Sequence, residues 1–181
     1  MRKDDESAAK YYEALLSLDP NNEKGLADEA KYRLAGYAAA KGDMSKLKNL
    51  IASLPDDSPF LSRSYSSLAR QSARNDDSEG AVAAYEAAIK RMPENANMMN
   101  AYAWFVFKGK MDKQYDRAIE VAEAALKLEP EADAIWDTLG QLHFANGNAE
   151  AAIKAMKKAS ELNPEEKSYK DNLATYMKPQ A

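Results

Sequence analysis

The sequence predicts an all-α chain built from repeated helix-turn-helix units, and three observations carry that prediction. Composition is the first: 34 Ala stand against three Val and five Ile, with charged residues (30%) interleaved at short spacing, which favours helix over strand. The second is periodicity. From Trp136, small or apolar residues fall at Leu139, Gly140 and His143, offsets of 3, 4 and 7 that place one stripe on a helix of 3.6 residues per turn. The third is recurrence: the same offsets counted from Tyr65 give Leu68, Ala69 and Ser72, and the two anchors lie 71 residues apart, two periods of 34 plus three.

In chain order, residues 1–20 supply Ala8, Tyr12, Leu15, Leu18 and Pro20, the second half of a unit whose first half is absent. Residues 28–61 form a degenerate unit, with Lys31 at the large apolar position, Gly42-Asp43 at the turn, Leu47, Ile51 and Leu54 on the second helix, and Pro55 arriving early. Residues 62–95 form a regular unit through Tyr65, Ala81, Tyr85, Ala88 and Pro93. Residues 96–132 repeat it through Met99, Tyr102, Ala103 and Val106. Its second half runs three residues late, which places an insertion in the turn "KGKMDKQYD", where it lengthens a loop and spares both packing faces. Residues 133–166 are the most regular unit, and 167–181 supply a capping helix through Leu173 and Ala174. All of this reads as one domain spanning 1–181. Each hairpin buries its stripe only against the next, so stability is a nearest-neighbour sum, and Trp136→Ala is expected to cost about 3–5 kcal/mol as a core truncation.

Several functions lose their usual parts. The net charge is −4 and the 25 basic residues are scattered, so the electrostatic footprint of a nucleic-acid binder is missing. No apolar run approaches the ~20 residues of a membrane span, and "MRKDDESAAKYY" is too polar for a signal peptide. With no cysteine and one histidine there is no thiolate site, no disulfide and no two-His motif, so neither metal nor cofactor is expected and the chain reads as non-enzymatic.

A 34-residue helix-turn-helix unit carrying Trp-x-x-Leu-Gly, a later small residue, an aromatic or Met, Ala and then Pro resembles the tetratricopeptide repeat. The stretch 136–164 departs only at His143, where that family usually has Tyr. The resemblance implies a right-handed superhelix. A narrower stretch, "NAYAWFVF" followed by "AIEVAEAALKLEPEADAIWDTLGQLHFANGN", is similar to the helical tails of certain bacterial thioredoxin-like proteins. That kinship implies a helical region of a longer enzyme in the bacterial periplasm; without it a cytoplasmic chain is the alternative, and the chain itself carries no targeting signal.

His143 lies in the packing stripe and reads as a packed imidazole, while "ANGN" reads as a turn with Gly147 at positive φ. Asp56-Asp57, Asp76-Asp77 and Glu165-Glu166 read as solvated acids near helix starts. Met98-Met99 read as partly exposed gap-fillers. The informative residues are those the stripe does not claim. Offsets of −2, +1, +5 and +8 from each anchor fall on the face that, in tetratricopeptide arrays, lines a concave groove. They bring Tyr32, Arg63, Arg70, Asn97, Asn100, Trp104, Phe107, Asp137, Gln141 and Phe144 forward, with Arg74 and Lys108 beside them. Rings for apolar anchors, amides for a peptide backbone and guanidinium groups for carboxylates are what a peptide-binding surface needs; the alternative is that Trp104 and Phe107 pack against an adjacent helix or under a terminal segment. The carboxylate clamp of chaperone-binding members does not match, because Tyr32 and Gly36 stand where its first Lys and Asn are sought. The expected function is a protein-interaction scaffold that holds a peptide segment of a partner; the alternative is an accessory domain of a thiol-disulfide oxidoreductase. Nucleic acid and membrane insertion are not expected, and the apolar faces of the terminal half-repeats suggest a homodimer.

Overall fold

The computed structural model describes residues 3–23 and 25–178, and every regular element among them is helical. The fold is an all-α helical repeat. The chain divides into two compact units, Met1–Met92 and Pro93–Ala181.

The N-terminal unit contains α1 (Lys3–Leu18), α2 (Leu26–Lys41), α3 (Met44–Ala52), α4 (Leu61–Arg74) and α5 (Ser78–Arg91). Helices adjacent in sequence pack as hairpins, and α2 also packs on α4. Gly42, at φ 71°, turns the chain out of α2, and the Asp43 side chain then accepts the Lys46 N–H to start α3. Leu34, Leu47, Ile51, Leu54 and Leu61 fill the core, each no more than 2% exposed. Two basic residues explain how the degenerate unit closes. Lys31, at the position other units give to a large apolar side chain, donates from Nζ to the Ser53 carbonyl at 2.9 Å, so its stem packs while its charge meets the end of α3. Arg91 replaces the missing regular link: it donates to the Ile51 and Leu54 carbonyls and pairs with Asp56 at 2.6 Å, tying α5 to the segment around Pro55.

The C-terminal unit contains α6 (Ala96–Lys108), a one-turn 3-10 helix (Asp112–Gln114), α7 (Tyr115–Leu128), α8 (Asp133–Ala145), α9 (Ala149–Leu162) and α10 (Lys167–Tyr176). The 3-10 turn lies inside the inserted segment. Asn95 and Asn148 cap α6 and α9 through the backbone N–H three residues on, as Asp43 and Asp77 do for α3 and α5, each such cap contributing about 1 kcal/mol. Gly147 turns at φ 81°. Gly140 lets α8 approach α9: a Cβ there would meet the Met156 methyl at 3.2 Å and the Ala152 carbonyl at 3.3 Å.

Two packing expectations need correction. Met98 and Met99 are buried, at 2% and 6% exposure, because both point into the α6 core. Trp136 is only half-buried: it leans on the cluster of Met156, Tyr169 and Tyr176 while its indole N–H donates to the Pro130 carbonyl at 2.9 Å near the surface. Its truncation therefore belongs at the low end of the aromatic range, about 3 kcal/mol.

Candidate functional site

In the N-terminal unit a cleft of about 610 Å³ runs along α2 and α4. Packing physics leaves it open. The stripes of both helices turn Leu34, Ala35, Leu68 and Ala69 into the core, and the residues left outside are short or basic: Gly36 and Ala40 on α2, Ser62, Ser66 and Ser67 on α4. A Cβ on Gly36 would meet nothing within 4 Å. Tyr32, stacked on Phe60 at 5.1 Å, and Tyr37 also line it. Arg33 also lines the cleft, but Glu29 holds it at 3.1 Å. Arg63 and Arg70 are exposed and have no carboxylate partner among the described residues. Ser64 is 1% exposed, lines the cleft, and has no hydrogen-bond partner for its hydroxyl.

Tyr32, Arg63 and Arg70 thus share one cleft, whereas Arg74, exposed in the last turn of α4, does not line it. Gly36 and Ser66 lie on the groove face that the offsets from Lys31 and Tyr65 define, and both line the cleft; Tyr37, Ser62, Ser64 and Ser67 are cleft residues that those offsets did not reach. For the serines the signal was present in "LSRSYSSLARQSAR", where nearly every position outside the stripe is Ser or Arg.

The C-terminal unit places its candidates differently. On α6, Trp104 is 40% exposed, its ring 5.5 Å from Phe107, with the Lys108 ammonium 5.5 Å above it. Phe107 and Lys108 also edge a cavity of about 320 Å³ with Lys110, Tyr115 and Ala145. Asn97 is exposed and Asn100 half-buried. On α8, Gln141 donates to Asp137 at 2.7 Å, and burial pushes the Asp137 carboxyl up from its usual range. Phe144 is not offered to a ligand: it stacks on Tyr176 at 4.2 Å, so α10 covers it. Sequence offsets assigned Phe144 to the groove face because they do not register what α10 lays over it.

Electrostatics elsewhere in this unit are structural. Asp133 accepts from Asn163 at 2.9 Å and from the Tyr169 hydroxyl at 3.0 Å, and these bonds, Asn163's first, hold its carboxyl below the usual range. Burial pushes the Tyr176 phenol up to about 12 and drives His143 down, with Glu123 opposing the latter. Among the described residues no group of three His, Cys, Asp or Glu side chains is arranged to hold a metal ion, and no helix is long and apolar enough to cross a membrane.

Residues 110–175 match a family model described as "Tetratricopeptide repeat". A curated relative, mouse "Protein O-mannosyl-transferase TMTC1", is 24% identical over 162 residues, covering 88% of this chain and 16% of that protein. Yeast "Small glutamine-rich tetratricopeptide repeat-containing protein 2" is 30% identical over 118 residues, 64% of this chain and 33% of that one. The chain therefore spans a third or less of these relatives. Among solved structures, BtubC from P. vanneervenii superposes with a TM-score of 0.67 at 20% identity, over 96% of this chain and 80% of that one. YrrB, described as a tetratricopeptide-repeat protein with an unusual peptide-binding site, superposes at 0.63 and 16% identity, over 93% and 82%. The first repeat domain of Spaghetti, bound to the HSP90 peptide SRMEEVD, does so at 0.56 and 17%, over 64% and 89%.

Proposed function

From the premise that this chain is a member of the tetratricopeptide-repeat family, we propose that it is a non-enzymatic protein-interaction module that holds a peptide segment of a partner protein. The observation that carries this reading is the cleft along α2 and α4, where Arg63 and Arg70 stand without carboxylate partners beside Tyr32 and Tyr37. A guanidinium left unpaired on a cleft wall offers its fork of donors to a carboxylate, and the tyrosines supply apolar contact at low entropic cost. In the C-terminal unit, Trp104 is an exposed aromatic anchor of the kind that dominates peptide interfaces. YrrB and the Spaghetti domain, both peptide binders by description, share the fold, which supports the class of function.

The test is comparative capture. The chain and its Arg70→Glu and Trp104→Ala variants are immobilised, source-cell lysate is passed over each, and retained proteins are identified by mass spectrometry. Specific retention by the unmutated chain, lost in the variants while helical circular dichroism stays constant, is the expected outcome. Retention that both variants preserve removes these residues from the reading. Binding through Arg70 also weakens as salt rises, so salt-independent retention excludes the arginines.

A further inference from the structure

We propose that the cleft along α2 and α4 takes an extended acidic segment of a partner, reading two carboxylates three residues apart with Arg63 and Arg70. The inference rests on the interaction reading and specifies its ligand.

Three features of the cleft point to this ligand. The first is direction. Lining residues run from Tyr32 to Ala40 on α2 and from Ser62 to Arg70 on α4, so the cleft follows both helices for eight residues, about 12 Å at 1.5 Å per residue. A segment lying in it runs along α4. The second is cross-section. The cleft is an open trough of about 610 Å³ rather than an enclosed cavity. An extended chain is narrower than a helix, and Gly36 and Ala40, with Ser66 and Ser67 opposite, keep the floor low enough for a backbone to approach.

The third feature is the register of the arginines. Arg70 stands seven positions after Arg63, close to two full turns, so both lie on one face about 10.5 Å apart along the axis. In a polyproline II segment, with three residues per turn and a rise of about 3.1 Å, side chains three apart lie on one edge about 9.3 Å from each other. The two ladders coincide. In such a segment adjacent acids point to edges about 120° apart, so only one of them faces the arginines, and the acids engaged need not include a chain terminus. Arg33 adds no third contact while Glu29 holds it.

The test uses the full chain and two fluorescein-labelled, terminally capped decapeptides of identical composition in a proline-containing neutral background. One carries two Asp separated by two neutral residues, the other two adjacent Asp. Fluorescence anisotropy at low salt is expected to show at least tenfold tighter binding of the first. Arg63→Glu or Arg70→Glu is expected to remove that preference, and Gly36→Leu, which fills the floor without touching a charge, to abolish binding of both peptides with circular dichroism unchanged. Equal affinity for the two peptides, or binding that survives Gly36→Leu, overturns the inference. If neither peptide binds but the chain captures a partner from lysate, the interaction reading stands and this ligand assignment falls; if neither peptide nor partner is held, both fall.

Discussion

Gly36 in α2 and Gly140 in α8 are both helix-interior glycines, one in each unit, and the space beside them is opposite in kind. A Cβ on Gly36 meets nothing within 4 Å, whereas one on Gly140 meets Met156 and the Ala152 backbone at 3.2–3.3 Å. The units use the same residue for different ends. In the N-terminal unit small residues outside the stripe leave a cleft beside free arginines; in the C-terminal unit a small residue inside the stripe lets two helices close on a core of Met156, Tyr169 and Tyr176. A glycine in a helix costs about 0.5–1 kcal/mol against alanine, so each must return something. At Gly140 the return is packing; at Gly36 it is an open surface.

The largest expected effect sharpens the packing half of that contrast. Met156 is 0% exposed, and Met156→Ala should lower stability by about 2–5 kcal/mol in denaturant unfolding, since both transfer energy and a cavity are lost. Gly140→Leu should cost about 1–3 kcal/mol by overpacking, because one of its neighbours is backbone and cannot rotate away. A neutral result there would dissolve the contrast between the two glycines.

A pH experiment probes the same core from its edge. His143 is half-buried and its pKa is lowered by burial, so between that value and the unfolded one, about 6.5, the unfolded chain binds more protons. Stability from this group is full above about pH 6.5 and falls as pH drops through the folded value. His143→Tyr should flatten the dependence of Tm on pH between about 7.5 and 5.5; an unchanged slope would place the titration elsewhere. The smallest effect has the opposite sign. Gly36→Ala should raise stability by about 0.5–1 kcal/mol, through helix propensity with no clash, as thermal unfolding would show.

Much of this contrast was legible before the structure. Spacing of 34 residues located the hairpins, and the offsets from Tyr65 and Met99 named residues that are buried, among them Leu68, Ala69, Tyr102 and Val106. The offset rule was least informative for residues beside the stripe. At +8, Phe107 edges a cavity while Phe144 stacks on Tyr176, and nothing local to either helix distinguishes them. Lys31 looked like a defect until its ammonium was seen on the Ser53 carbonyl, a partner 22 residues away. Trp136 looked like a core anchor, yet its N–H stays with Pro130 near the surface.

The sequence by itself determined the helices, their turns and the buried stripe, because propensity, capping and 3.6-residue periodicity act over a few residues and recur in each unit. Only the tertiary structure decided which unclaimed side chains face a cleft, which pair, and which are covered. Exposure and charge pairing depend on what stands opposite a residue, and in a helical repeat that neighbour belongs to another helix.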